Sequence, residues 1–335
     1  MKKIYATIAA ACLAFGASAQ TAQVTQMTIN LKDGSNVTYK LTDIEDIVFA
    51  GEDTPDTPDT PADPKIGDYF YSDGTWSDGG LVSINADGTD PVWADVKPAP
   101  VEGKTVIGIV FTTDQSRMAA SDIADGYTHG YVIACKNICD PNNKFPETVY
   151  YSREDEFDTL RGAKLASTWY GNIAGRENTT TVLEKYGDTA YDLVPMFYYG
   201  TKEFKVAAPE STSGWFIPST GQLWDALANL GGGEVASKMK SWQTLSYDAT
   251  YYASEKVTYD VLAKFMEAFS LVPDADKESM SLDKDSSGGH YVSLRTSTPY
   301  ESDSSCIFNI GTDGLIECMA GWLNEDCHAR PILAF

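Results

Sequence analysis

The sequence predicts an α+β protein: a small β module, an acidic linker, and one larger domain with two helices among short strands and long loops. Three observations carry this expectation. Residues 51–64, GEDTPDTPDTPADP, repeat proline at every third position among Asp and Thr, which makes an extended, self-repelling spacer. The segments on either side of it are rich in short runs of β-branched and aromatic residues. Only two later stretches keep apolar residues at the three-to-four spacing of a helix face.

The elements follow in chain order. MKKIYATIAAACLAFGASAQ has Lys2 and Lys3, an apolar core from Ile4 to Phe15, and the small residues Ala17-Ser18-Ala19. This is the pattern of a secretory signal over residues 1–19, cut after Ala19. The apolar run is too short to span a bilayer. Cys12 offers a lipoprotein anchor as the alternative to ordinary cleavage. Residues 20–50 hold MTINLKDGSNVTYKLTDIEDIVF. Ile29 and Leu31 alternate with polar residues, Asp33-Gly34 supplies a turn, and Val37, Tyr39 and Leu41 alternate again, which is a hairpin. Thr42 is placed to cap one helical turn, and Ile47-Val48-Phe49 reads as a third strand. So short a module lacks the apolar volume for a deep core of its own.

Residues 65–335 form the main domain. KTVIGIVFTTD and HGYVIACKN are apolar β-rich runs suited to central strands. SGWFIPSTGQLWDALANL leads into the first helix: Ser219 and Gln222 can form a capping box, and Leu223, Leu227 and Leu230 lie on one face. Gly231-Gly232-Gly233 ends it. Nothing on that helix is a nucleophile or a metal-ligand pair, so it reads as scaffold. SEKVTYDVLAKFMEAFSLV is the second helix, with Val257, Val261, Phe265 and Phe269 on one side. Long loops are expected around residues 136–190 and 273–290.

The 335 residues carry a formal charge of −23, which becomes −25 when Lys2 and Lys3 leave with the signal. That balance excludes nucleic acid and anionic membrane surfaces as partners, since both demand Lys and Arg. It fits a soluble exported protein. Cys135, Cys139, Cys306, Cys318 and Cys327 remain after cleavage, enough for two disulfides and one free thiol in an oxidising compartment. Cys135 and Cys139 are spaced for a local bridge. Cysteine spacing and the three histidines give no convincing zinc set.

The motifs IGDYFYSDGTWSDGG, VIGIVF, HGYVIA, GWFIPSTGQLWDALANLG, YVSLRTSTPYESDSSCIFNIGTDG and RPILAF occur in this order. They resemble the secreted domains of gut anaerobes grouped with the fibrobacter major paralogous domain and the Legionella collagen-like adhesin C-terminal domain. The N-terminal MTINLKDGSNVTYKLTDIEDIVF is similar to a module that often follows the signal in that group. The resemblance covers most of residues 27–49 and 66–335. It implies a C-type-lectin-like domain, with a mixed twisted sheet, two helices and long loops, and ligand-facing positions in its C-terminal loops and strands. At Tyr291 to Thr298 the family's tryptophan and glutamate are not kept.

Among the last residues, Tyr291, Arg295, Tyr300, Asp303, Trp322, Asn324 and His328 are the types that make binding faces, and they are the ligand-facing candidates. A core role for Tyr291 and Trp322 is the competing reading. Asn324, Glu325 and Asp326 are half of the oxygen-rich set that calcium requires. A formylglycine-generating type of enzyme would need Cys318 and Cys327 as a reactive pair; a structural disulfide among Cys306, Cys318 and Cys327 is the reading preferred. No nucleophile elbow or phosphate loop is present. The first expectation is a non-catalytic surface protein that binds glycan or a host or bacterial surface protein. The second is a subunit of a surface appendage, and the third a divergent enzyme.

Overall fold

The computed structural model describes residues 26–30, 36–40, 63–84, 91–143, 148–154, 157–160, 166–246, 252–284 and 290–335. The chain divides into two compact units, Met1–Pro58 and Asp59–Phe335. The signal, Cys12, the Asp33-Gly34 turn, Thr42, the strand expected at Ile47-Val48-Phe49 and most of the linker lie outside the described residues.

In the first unit, β1 (Gln26–Asn30) and β2 (Asn36–Lys40) pair antiparallel, with Ile29 opposite Val37. The threonines at positions 28 and 38 face each other and share a hydrogen bond of 2.9 Å. The alternation therefore forms the ribbon it predicts.

In the second unit the strands are β3 (Tyr69–Tyr71), β4 (Trp76–Ser77), β5 (Leu81–Ser83), β6 (Val92–Trp93), β7 (Val106–Thr112) and β8 (Tyr131–Ala134). They continue with β9 (Tyr252–Lys256), β10 (Asp283–Lys284), β11 (His290–Glu301), β12 (Ser304–Gly311), β13 (Leu315–Trp322) and β14 (Ile332–Ala334). The helices are α1 (Ala120–Ala124), α2 (Gly175–Tyr186), α3 (Ala190–Leu193), α4 (Pro195–Tyr199), α5 (Thr220–Leu230), α6 (Gly233–Trp242) and α7 (Val261–Glu267). One five-stranded sheet runs β4-β3-β7-β8-β14 and another β10-β11-β12-β13-β9, while β5 and β6 form a ribbon. All their strand pairs are antiparallel, where a mixed sheet was expected. The physical reason lies in the connections: β11, β12 and β13 follow one another through tight turns, which favour antiparallel pairing.

Helix α5 joins the two sheets and answers to its sequence closely. Its capping box between Ser219 and Gln222 is formed, and Leu223, Leu227 and Leu230 are buried. Trp224 packs edge-on against Phe308 of β12, and Asn229 donates to the Phe111 carbonyl of β7. Thr220 at its start donates its amide to Thr298 of β11. It is a scaffold element, with every apolar face spent on packing. Gly232, at φ +97°, turns the chain between α5 and α6.

Three expectations need correction. The second helix is shorter than its pattern: residues 252–256 form β9 against β13, and Asp260 caps α7 by accepting from the Ala263 amide. Val257, Val261, Phe265 and Phe269 are buried all the same. The loop expected over 136–190 contains α2, whose buried face is polar in its first half and carries Val182 and Tyr186 in its second. Asn178 donates to Ser297 there, and Thr179 bridges Gly175 and Ile217, so the apolar period is confined to the last turns of the helix. The expected disulfides are absent among the described residues, where all five cysteines are free thiols. Cys135 is sealed in the core while Cys139 turns to Lys205. Cys306 and Cys318 lie on neighbouring strands but out of register, paired with Ala320 and Phe308 respectively. Cys327 accepts from Arg295.

Candidate functional site

The last strand of the second sheet builds a fixed loop at its end. β13 finishes at Trp322, the chain turns through residues 323–326, and it returns to the edge of β11 in a parallel bridge between Leu294 and His328. Leu323 is buried; its amide donates to Asp303, and its carbonyl accepts from Tyr151 and Ser152. The Cys327 carbonyl accepts from the Val149 amide. Asp326 accepts from Asn143 at 2.8 Å and from Thr148 at 3.3 Å. Between these anchors Trp322, 62% exposed, stands into solvent beside the exposed Asn324 and Glu325.

Arg295 holds the loop from beneath. The side chain is fully buried, and Nη1 donates to Ser305 Oγ at 2.6 Å. Nη2 donates to the Trp322 carbonyl at 2.7 Å, the Glu325 carbonyl at 3.3 Å and Cys327 Sγ at 3.0 Å. None of these partners is a carboxylate, and Nε has no partner among the described residues. Carbonyl dipoles take the place of a counter-ion, so the guanidinium is committed to loop shape.

The seven residues expected to face a ligand divide into three groups. Trp322, Asn324 and Asp303 come together at the loop, and Tyr300 closes β11 nearby while stacking on Trp169 at 5.8 Å. Arg295 and His328 point inward, which corrects their expected role; His328 is 1% exposed, with Nε2 at 3.1 Å from Ser281 Oγ. Tyr291 sits at the opposite end of β11, across from Gly311. In the expected calcium set, Asp326 accepts from Asn143 and Thr148 while Asn324 and Glu325 are exposed; the described residues hold no group of three His, Cys, Asp or Glu arranged around a metal ion. Burial, and then the carboxylates of Glu325 and Asp326, raise the carboxyl of Asp283 above its ordinary range.

One polar feature was not anticipated. Across the outer face, Ser293 donates to Asn309, Asn309 to Glu317, and both Tyr252 and Ser254 to Glu317, in a row over β11, β12, β13 and β9. Its sequence signal is the polar residue at every second strand position.

In the cysteines of the C-terminal core, burial outweighs the lowering pull of Arg295 on Cys306 and Cys327. Burial pushes Cys306 up to about 12, Cys327 up to about 11, and Cys318 well above its usual value. Burial likewise holds Cys135 at about 12.

No family model matches this chain, and no curated protein does. A crystal structure of a fimbrial protein from Bacteroides ovatus is similar over 81% of this chain, at 15% identity and a TM-score of 0.46. This chain spans 49% of that protein's length.

Proposed function

We propose that the chain is a non-catalytic, exported surface protein that recognises its ligand with the pinned loop around Trp322, on a C-type-lectin-like domain. The observation that supports this most directly is a large indole standing 62% exposed on a backbone tied down on every side. A flat aromatic face suits the C–H face of a sugar ring or an apolar side chain, and the Asn324 amide can both donate and accept. Because Arg295 orders the loop beforehand, less conformational freedom remains to be lost on binding. Glycan, or a protein on a host or bacterial surface, is the partner class. The buried, high-pKa thiols of Cys318 and Cys327 support the non-catalytic reading, because the thiolate is the reactive form. Among the described residues, no helix is long and apolar enough to cross a membrane.

A second role, as a subunit of a surface appendage, is favoured by the N-terminal ribbon. Two strands of five residues each are marginal alone and gain stability by docking on a further strand or surface. The two roles are compatible, since an appendage can display a binding domain.

The test is an array of glycans and matrix proteins probed with the mature chain, with calcium and with a chelator, beside Trp322→Ala and a deletion of residues 20–64. Binding that ignores the chelator and disappears in Trp322→Ala is expected. Binding unchanged in that variant would overturn the assignment of the site. Loss of polymer incorporation in the deletion alone would establish the appendage role.

A further inference from the structure

Away from the Trp322 loop, an open cleft of about 830 Å³ is lined by Asn137, Cys139, Tyr199, Phe204, Lys205 and Glu278, among others. It brings together the segment after β8, the segment after α4 and the segment before β10. Cys139 is the one described thiol that is not buried. Its sulfur lies 2.9 Å from Lys205 Nζ, and the same Nζ lies 2.9 Å and 3.0 Å from the two carboxylate oxygens of Glu278. Glu278 is fixed in turn, accepting from the Asn137 amide at 2.9 Å and giving its own amide to the Cys135 carbonyl. Sulfur, nitrogen and carboxylate are thus held in contact at the wall of a cleft wide enough for small solutes. Although Lys205 is partly buried, Cys139 and Glu278 both favour its charged form and raise its pKa.

We propose that Cys139 and Lys205 form an oxidative cross-linking site, in which peroxide joins Sγ to Nζ through a single oxygen. First, the sulfur attacks hydrogen peroxide: the O–O bond breaks, an S–O bond forms, and the thiol becomes a sulfenic acid with release of water. Lys205 then releases a proton to solvent by way of the Glu278 carboxylate, which frees the nitrogen lone pair transiently beside the sulfenic oxygen. A second peroxide accepts two electrons from the pair; an N–O bond forms as N–H and O–H bonds are given up, and two waters leave. In total, thiol, amine and two peroxides give the S–O–N link and three waters. An oxygen bridge suits the observed separation, whereas a direct S–N bond would require the two walls to close substantially. An exported protein meets oxidants, and the four other described thiols are buried away from them. The link would tie the segment at Cys139 to the one at Lys205, 66 residues on, and so stiffen the cleft.

The test is peptide mass spectrometry of the mature chain after graded hydrogen peroxide, with a sulfenic-acid trap in parallel samples. The expected product is one cross-linked species containing Cys139 and Lys205, heavier than the two peptides together by one oxygen and lighter by two hydrogens. Lys205→Arg should abolish that species yet keep trapping at Cys139. Glu278→Gln should slow the link several-fold without slowing sulfenic acid formation, and Cys139→Ser should remove both products. Circular dichroism of each variant separates a missing link from a misfolded chain. Oxidation of Cys139 straight to sulfinic or sulfonic acid with no linked peptide would overturn the proposal. So would a well-folded wild-type chain in which Cys139 does not react.

Discussion

Replacing Arg295 tests whether the loop that carries Trp322 is held from below. In Arg295→Ala the guanidinium leaves, and with it the hydrogen bonds to Ser305, Trp322, Glu325 and Cys327. The Trp322 carbonyl keeps one donor, the Glu325 amide at 3.2 Å, while the Glu325 carbonyl loses the guanidinium as its donor. Each buried group left unsatisfied costs about 1–3 kcal/mol, and the space vacated by a long buried side chain adds a cavity term. Against this stands relief from burying a charge that has no carboxylate partner, which favours the variant. A net loss of about 3–5 kcal/mol is expected for alanine. Arg295→Met keeps most of the volume and removes only the donors and the charge, so about 1–3 kcal/mol is expected. Urea denaturation followed by tryptophan fluorescence measures both, with amide exchange over residues 323–327 as the local readout. The methionine variant should exchange faster in that loop and bind more weakly. If it matched the wild type in stability and in loop protection, the clamp argument would be refuted, and Arg295 would be only a space filler.

Other consequences are open to direct measurement. Trp322→Ala should lower affinity at least about tenfold, while the melting temperature stays put because the ring is mostly in solvent; a parallel loss of stability would mean the ring is structural. In the native state one thiol, Cys139, should react quickly with a disulfide reagent, and Cys135, Cys306, Cys318 and Cys327 only after unfolding; a second fast thiol would contradict the packing. Burial lifts the carboxyl of Asp225 from 3.8 to about 7 against the pull of Arg117. The folded state therefore holds the proton more tightly, so this contribution to stability is full below 3.8 and is lost as pH rises through about 7. Denaturation at several pH values should show a shallower decline in Asp225→Asn, and equal slopes would disprove the assignment. Gly232→Ala should cost about 1–3 kcal/mol, since Gly232 has φ +97° and an added Cβ would meet the Tyr259 hydroxyl at 2.5 Å; an unchanged urea midpoint would count against that strain.

The sequence announces elements whose own residues decide them. The capping box of α5 is local, as is the buried run of β7, and both form where the pattern puts them. The hairpin of β1 and β2 needs only alternation and a short connection. Elements decided by partners are harder to read. Helix α2 packs through Asn178 and Thr179, whose hydrogen bonds reach Ser297 and Ile217 far along the chain. In the 254–272 pattern, a helical period runs through residues that β13 draws into a sheet, because strand pairing there satisfies backbone groups that a longer helix would have satisfied internally.

The loop at Trp322 shows the same division at the level of single side chains. Along β11, the alternation separates Val292 and Leu294, which enter the core, from Ser293 and Arg295 on the other face. Parity alone therefore points Arg295 outward, toward a ligand. What it cannot contain is the later passage of the chain, 27 residues on, across that face at Trp322. Once the loop lies over it, the guanidinium meets carbonyl oxygens instead of water, and a residue suited by type to touching a ligand becomes the residue that shapes the loop. Trp322 has the opposite history. Its position is in step with Cys318 and Ala320 on the core side, yet the sheet ends there and the side chain is left mostly exposed among the described residues. Exposure at a strand terminus, rather than residue type, is what makes it available, so the proposed recognition surface lies where the strands stop.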